Sequence, residues 1–140
     1  ITELQHLFAH HIHNIPLVEG ITDVLTSLHE RPTKIGIITS NTRHNVEAYL
    51  AFHRLDMVSF VYADRSIFGK HRVISKVLKE QRINPAETVY IGDEVRDVEA
   101  AKKSGIRSAA VSWGFSHREN LERAQPNWLF DKPEELMTLF

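Results

Sequence analysis

Asp93 and Asp97 stand four residues apart in "TVYIGDEVRDVEAAKKSG" (88–105), directly after an apolar run that stops at Gly92. A short apolar run that passes into a helical pattern places Asp93 at the mouth of a strand and Asp97 one helical turn on. Both carboxylates then converge on one small volume. Two ionised carboxylates there repel, and a hard cation removes that cost. Oxygen donors beside a phosphate favour Mg2+, which keeps several waters and uses few carboxylates. Two further positions carry complementary chemistry. Ser40 and Asn41, closing "KIGIITSN", offer a hydroxyl, an amide and free backbone N–H groups at a helix start, which suits an anion. Lys70, in "IFGKHRV", opens a helix and supplies a point charge for a phosphate. Taken singly these are a helix cap, a solvated charge, another cap and a surface lysine. Taken together, at successive strand ends, they specify a site for phosphate and metal.

The elements that must position these residues follow from hydrophobic period. "GITDVLTSLHER" repeats apolar residues at helical spacing until Pro32 stops it. "KIGIITS" (34–40) is a β-branched run that predicts a buried strand. "NTRHNVEAYLAFHRL" predicts a helix with Val46, Tyr49, Leu50 and either Phe52 or His53 facing inward. "MVSFVYAD" (57–64) is the next strand, "HRVISKVLKEQR" the next helix and "NPAE" a turn. "TVYIGD" is a third buried strand, "EVRDVEAAKKS" its helix with Gly105 past the end, and "RSAAVSWG" a fourth strand. "NWLF" reads as an edge strand, and "KPEELMTLF" as a closing helix begun by Pro133. Strands alternating with helices give an α/β class: a three-layer sandwich around a parallel, Rossmann-like sheet. Ligands in such folds bind at the carboxyl ends of the strands, where all five residues above fall. Residues 1–140 are expected to form one core domain. Residues 1–15, "ITELQHLFAHHIHNI", precede the regular alternation and are expected to be a helix from a separate subdomain.

Composition narrows the function classes. A chain of 140 residues with 42% hydrophobic and 25% charged residues is of globular type and suits a single core. Net charge of −1 with neutral histidines supplies no field that would draw nucleic acid or anionic membrane. The absence of cysteine rules out disulfides and thiolate metal sites and fits a cytoplasmic setting. No apolar run approaches the length of a membrane span. His6, His10 and His13 share adjoining positions of one predicted helix, spacing that can hold a transition metal. No acidic partner accompanies them locally, and they read as solvated or substrate-facing histidines. Trp113 and Phe115 in "VSWGFSHREN" could edge the pocket, with core packing the plainer role for Trp113.

From about Pro16 to the C-terminus the pattern resembles the haloacid dehalogenase superfamily of hydrolases, particularly its phosphoglycolate-phosphatase-like branch. "IGIITSN" is similar to the second motif of that family, which implies that Ser40 hydrogen-bonds the transferring phosphoryl group and Asn41 adds a donor. "FGK" places Lys70 as the third-motif lysine, and "IGDEVRDVEAAKKSGI" is similar to the fourth motif. The resemblance implies that Asp93 ligates Mg2+ directly and that Asp97 supports it through water or hydrogen bonds. It also implies a small phosphorylated metabolite as substrate; oligomeric state stays open. The acidic pair argues for phosphoryl chemistry over carbon–halogen cleavage. His71 follows Lys70 where many phosphoglycolate-type members have proline, which loosens the assignment of a substrate subclass.

The family's first motif, DxDxT or DxDxV, supplies the nucleophile and the general acid. No two aspartates of this sequence stand two apart, so nothing in it matches. The resemblance places that motif on a central strand, between "KIGIITS" and "TVYIGD". We therefore expect a fragment, with residues 1–15 as the returning helix of a cap, and no phosphate-ester hydrolysis by this stretch alone. Two other readings remain: a non-catalytic relative that binds phosphate or a protein, and a phosphoryl-accepting receiver domain. The receiver requires paired acidic residues after its first strand, which this order does not supply.

Overall fold

β-branched runs and amphipathic runs alternate along the chain, and the computed structural model, which describes residues 17–65 and 69–139, follows that alternation closely. The elements are α1 (Ile21–His29), β1 (Ile35–Thr39), α2 (Arg43–Phe52), β2 (Val58–Ala63), α3 (Lys70–Glu80), β3 (Val89–Gly92), α4 (Val95–Lys103), β4 (Arg107–Val111), α5 (Arg118–Ala124) and β5 (Trp128–Phe130). The expected α/β class with parallel strands holds. The helix expected within residues 1–15 lies outside the described residues.

Contacts gather these elements into two compact units, one within residues 1–67 and 136–140, the other within 68–135. In the first, β1 and β2 form a two-stranded parallel sheet, with Ile37 opposite Val61 and Thr39 opposite Ala63. Val24 and Leu28 of α1, Val46 of α2 and Val61 of β2 are buried there. Of the two alternatives for the inner face of α2, Phe52 is half exposed, whereas His53 is partly covered and rests against the Tyr49 ring at 4.3 Å between centroids. In the second unit the strand order is β3–β4–β5, all parallel. Val98 of α4, Ala110 of β4 and Leu121 of α5 form its centre, with Val95, Ala124 and Leu129 packed around them. Ile74 and Val77 present the buried stripe of α3.

Two expectations need correction. The strands "KIGIITS" and "TVYIGD" were expected to be buried, yet β1 and β3 are mostly half-covered, and Ile91 of β3 is 40% exposed. The neighbouring β4 is buried at every position but its first. The difference is lateral: β4 has a ladder on each side, whereas β1 and β3 have one partner strand each among the described residues. The segment Pro133–Leu139 is a 3-10 helix rather than an α-helix. The sequence reading also passed over α5, whose seven residues give too short a window for a helical period to show.

Candidate metal and phosphate site

Gly92 ends β3, Asp93 follows it, and α4 begins two residues later with Glu94 as its N-cap. The turn is tight, so the first helical turn folds back over the strand end. A Cβ on Gly92 would lie 2.5 Å from Cγ of Asp97, far inside van der Waals contact, which is why glycine precedes the acidic pair. Asp97 is 4% exposed and both of its oxygens are engaged. Oδ2 accepts the Glu94 backbone N–H at 3.0 Å, one half of a capping box, and Oδ1 pairs with the Lys70 ammonium. Lys70 is the first residue of α3, so a bond spanning 27 residues ties two helix starts together. Glu94, 5% exposed, turns its carboxylate on the Arg96 guanidinium at 3.1 and 3.2 Å.

Asp93 is held differently. Its Oδ2 accepts the Phe115 backbone N–H at 2.9 Å, and its backbone carbonyl accepts the Ser116 N–H at 3.0 Å. Oδ1 takes no hydrogen bond from another residue among those described. Carboxylate oxygens of Asp93, Glu94 and Asp97 all lie within 4.8 Å of one another, a donor set of the hard type that oxygen-seeking cations prefer. With the oxygens of Asp97 and Glu94 committed to Lys70, Arg96 and the backbone, Asp93 is the member with an oxygen to give. Mg2+ suits that arrangement, since it takes one or two carboxylates and retains water.

The acids of the cluster also act on one another and on their neighbour Tyr90. Burial, then the neighbouring Asp97 and Glu94, raise the Asp93 carboxyl above its ordinary value, while the Phe115 N–H acts against them. The phenol of Tyr90, a partly covered residue of β3, is raised too, by burial first and then by Asp97, Asp93 and Glu94. A cation at Asp93 would relieve both.

Ser40 and Asn41 belong to the other compact unit, at the carboxyl end of β1. The sequence suggested free backbone donors there, and the structure differs. The Asn41 N–H donates to Thr39 Oγ1 at 3.0 Å, and the Thr42 N–H to Asn41 Oδ1 at 2.8 Å. Asn41 Oδ1 also accepts Asn45 Nδ2 at 3.1 Å, and Thr42 caps α2 through the Asn45 N–H at 3.2 Å. Local turn-building competes for the same donors that an anion would use. Lys70, Asp93 and Asp97 are thus brought together, while the backbone N–H and Oδ1 of Asn41 brace its own turn. His6, His10 and His13 lie outside the described residues. Sequence reasoning missed the 114–116 segment as the support of Asp93; its only signal was "WGFS", a glycine between aromatics just past the next strand.

The haloacid dehalogenase-like hydrolase family model matches residues 1–111. A phosphoglycolate phosphatase of Synechococcus elongatus is 40% identical over 124 residues, covering 88% of this chain and 58% of that protein. Pyrophosphatase PpaX of Anoxybacillus flavithermus is 30% identical, covering 94% of this chain and 63% of that protein. Among solved structures, a haloacid dehalogenase-like family hydrolase of Streptococcus pneumoniae superposes with a TM-score of 0.83 at 25% identity, over 93% of this chain and 62% of that one. The chain therefore spans less than two thirds of the length of these relatives.

Proposed function

This chain belongs to the haloacid dehalogenase-like hydrolase family, in its phosphoglycolate-phosphatase-like branch, and we propose that it is core machinery of a Mg2+-dependent phosphatase for a small phosphorylated metabolite. The observation that carries this is the geometry at the end of β3, where Asp97 is locked by Lys70 and the Glu94 N–H and Asp93 keeps one oxygen that no other described residue hydrogen-bonds. Asp93 would hold the cation, and Asp97 would orient Lys70, whose ammonium has two further N–H bonds to offer a phosphoryl oxygen. Ser40, with Asn41 shaping its turn, is proposed as a phosphate donor in the other compact unit. Mg2+, when bound, supplies charge neutralisation for the phosphoryl oxygens and a template for in-line attack.

The reaction itself would use a DxDxT or DxDxV segment, which is not among these 140 residues. Its first aspartate would attack phosphorus, its second would protonate the leaving ester oxygen, and water would then hydrolyse the aspartyl phosphate. The 140-residue stretch alone is accordingly proposed to bind cation without turnover. A cytoplasmic setting is part of the same proposal.

Calorimetric titration of the chain with Mg2+ or Mn2+ tests it. Saturable binding that Asp93→Asn abolishes supports the site. Absence of binding by a folded chain overturns it, as would turnover of an aryl phosphate by these residues alone, lost in Asp93→Asn, for the proposed division of labour.

A further inference from the structure

Asp93 is the proposed ligand, and among the described residues no other member of its own strand or helix donates to its carboxylate. The support comes from the loop after β4. Three bonds bind that loop to the start of α4: Phe115 N–H to Asp93 Oδ2 at 2.9 Å, Ser116 N–H to the Asp93 carbonyl at 3.0 Å, and Val95 N–H to Ser116 Oγ at 3.3 Å. The first two take hold of Asp93 at both its ends. The third supplies an acceptor for an N–H of the first helical turn, one of those a helix cannot satisfy internally.

The approach is close enough to demand a particular residue. A Cβ on Gly114 would lie 2.6 Å from Cγ of Asp93 and nearer still to its Cβ. Contact with the root of the aspartate leaves no terminal rotation that relieves it. The φ of Gly114 is not in the left-handed region, so backbone freedom is not the reason for glycine here. The reason is room for Asp93. Gly92 makes the same room for Asp97, so each acid of the pair rests on a glycine from a different place in the chain. Phe115 itself is 66% exposed, and its ring has no part in this grip; the backbone does the holding.

We propose that Gly114, together with the backbone amides of Phe115 and Ser116, is the positioning element that fixes Asp93 as a one-oxygen ligand, occupying Oδ2 and presenting Oδ1 to the cation. This rests on the metal-site reading above. A bidentate carboxylate would fill two coordination positions and strain the narrow octahedral geometry of Mg2+. Locking one oxygen in a hydrogen bond prevents that and fixes the direction of the other, as outer partners of metal ligands generally do.

The test compares two glycine substitutions in the full chain. Gly114→Ala should weaken Mg2+ and Mn2+ binding by about 10- to 100-fold, read by calorimetry on the folded variant. Gly105→Ala sits at φ +73° with open space around it, so it should lower the midpoint through backbone strain and leave the affinity alone. Gly114→Ala binding as tightly as wild type overturns the proposal while the metal site stands. Wild type that binds neither cation overturns both. Should Gly114→Ala fail to fold, the wild-type amide spectrum decides. Phe115 and Ser116 amide resonances that shift along the Mg2+ titration with the calorimetric midpoint support the grip, and resonances that stay fixed while Mg2+ binds overturn it.

Discussion

The carboxyl ends of β1 and β3 both place polar groups just before a helix, hydroxyls and an amide at the first and carboxylates at the second, but they spend the hydrogen bonds of those side chains differently. At β1 the bonds among Thr39, Asn41, Thr42 and Asn45 reach four residues or fewer along the chain. The longer ones, from the Arg43 guanidinium to the Val61 carbonyl and from the Asp64 N–H to the Thr39 carbonyl, run only to the neighbouring strand β2 and its end. At β3 the decisive bonds span 27, 22 and 21 residues, from Asp97 to Lys70, from Asp93 to Phe115 and from Val95 to Ser116. A local turn forms wherever its few residues find each other. A rim tied through distant residues exists only when α3, β3, β4 and their loops are all in place, so its geometry is as stable as the unit that holds it. That difference fits the roles proposed for them: a cation ligand needs its direction fixed, whereas a phosphate donor turn can tolerate adjustment.

The largest effect expected from this difference follows loss of Lys70. Lys70→Met keeps much of the stem but strips the ammonium from Asp97, leaving a 6%-exposed carboxylate among two other acids. Breaking such a pair costs more than the pair contributes, because the remaining charge stays buried. With the lysine side chain itself 25% exposed, a loss of about 2–3 kcal/mol is expected in urea unfolding of the metal-free protein. Saturating Mg2+ should recover part of it through added positive charge. A loss smaller than about 0.5 kcal/mol would place the rim with ordinary surface pairs and erase the contrast with β1.

The same contrast explains what could be read in advance. Asp93, Asp97 and Lys70 were legible because glycine, strand end and helix start fix them by spacing, and period alone locates those elements. The strands and helices were legible for the same reason, apart from the short α5 and the closing segment, whose 3-10 form the period did not show. The role of Gly114 was not, because nothing local distinguishes it: its cause is Asp93, a contact from 21 residues upstream that only the tertiary structure creates. Half-coverage of β1 and β3 was equally hidden. Composition says a strand is apolar enough to bury, while the ladders at its sides decide whether it is. At Asn41 the sequence showed the donors and could not show that the turn itself would take the backbone N–H.

A smaller effect belongs to the local rim. Thr42→Ala removes the N-cap of α2, whose hydroxyl oxygen accepts the Asn45 N–H, and should cost about 1 kcal/mol, with Thr42→Ser close to neutral. Because the bond closes within its own turn, Mg2+ affinity should not move in either variant. An affinity change in Thr42→Ala matching that of Gly114→Ala would mean that the two rims are energetically one.

The smallest effect tests whether span or burial makes the β3 rim rigid. Asp131, just past β5, also makes long-range bonds, to Ser112 at 2.6 Å and to Arg118 at 3.0 Å, but it is exposed. The Ser112 hydroxyl first, and then the Arg118 guanidinium, hold its carboxyl below the ordinary range. A carboxyl lowered in the folded state adds stability above its unfolded value, about 4, and loses it as pH falls through the lowered folded value. Wild type should therefore exceed Asp131→Asn slightly at neutral pH, and the gap should close on acidification and shrink in high salt, because water and ions screen an exposed pair. If the gap instead rivals the Lys70→Met loss and ignores salt, long span alone is sufficient, and burial is not what distinguishes the end of β3.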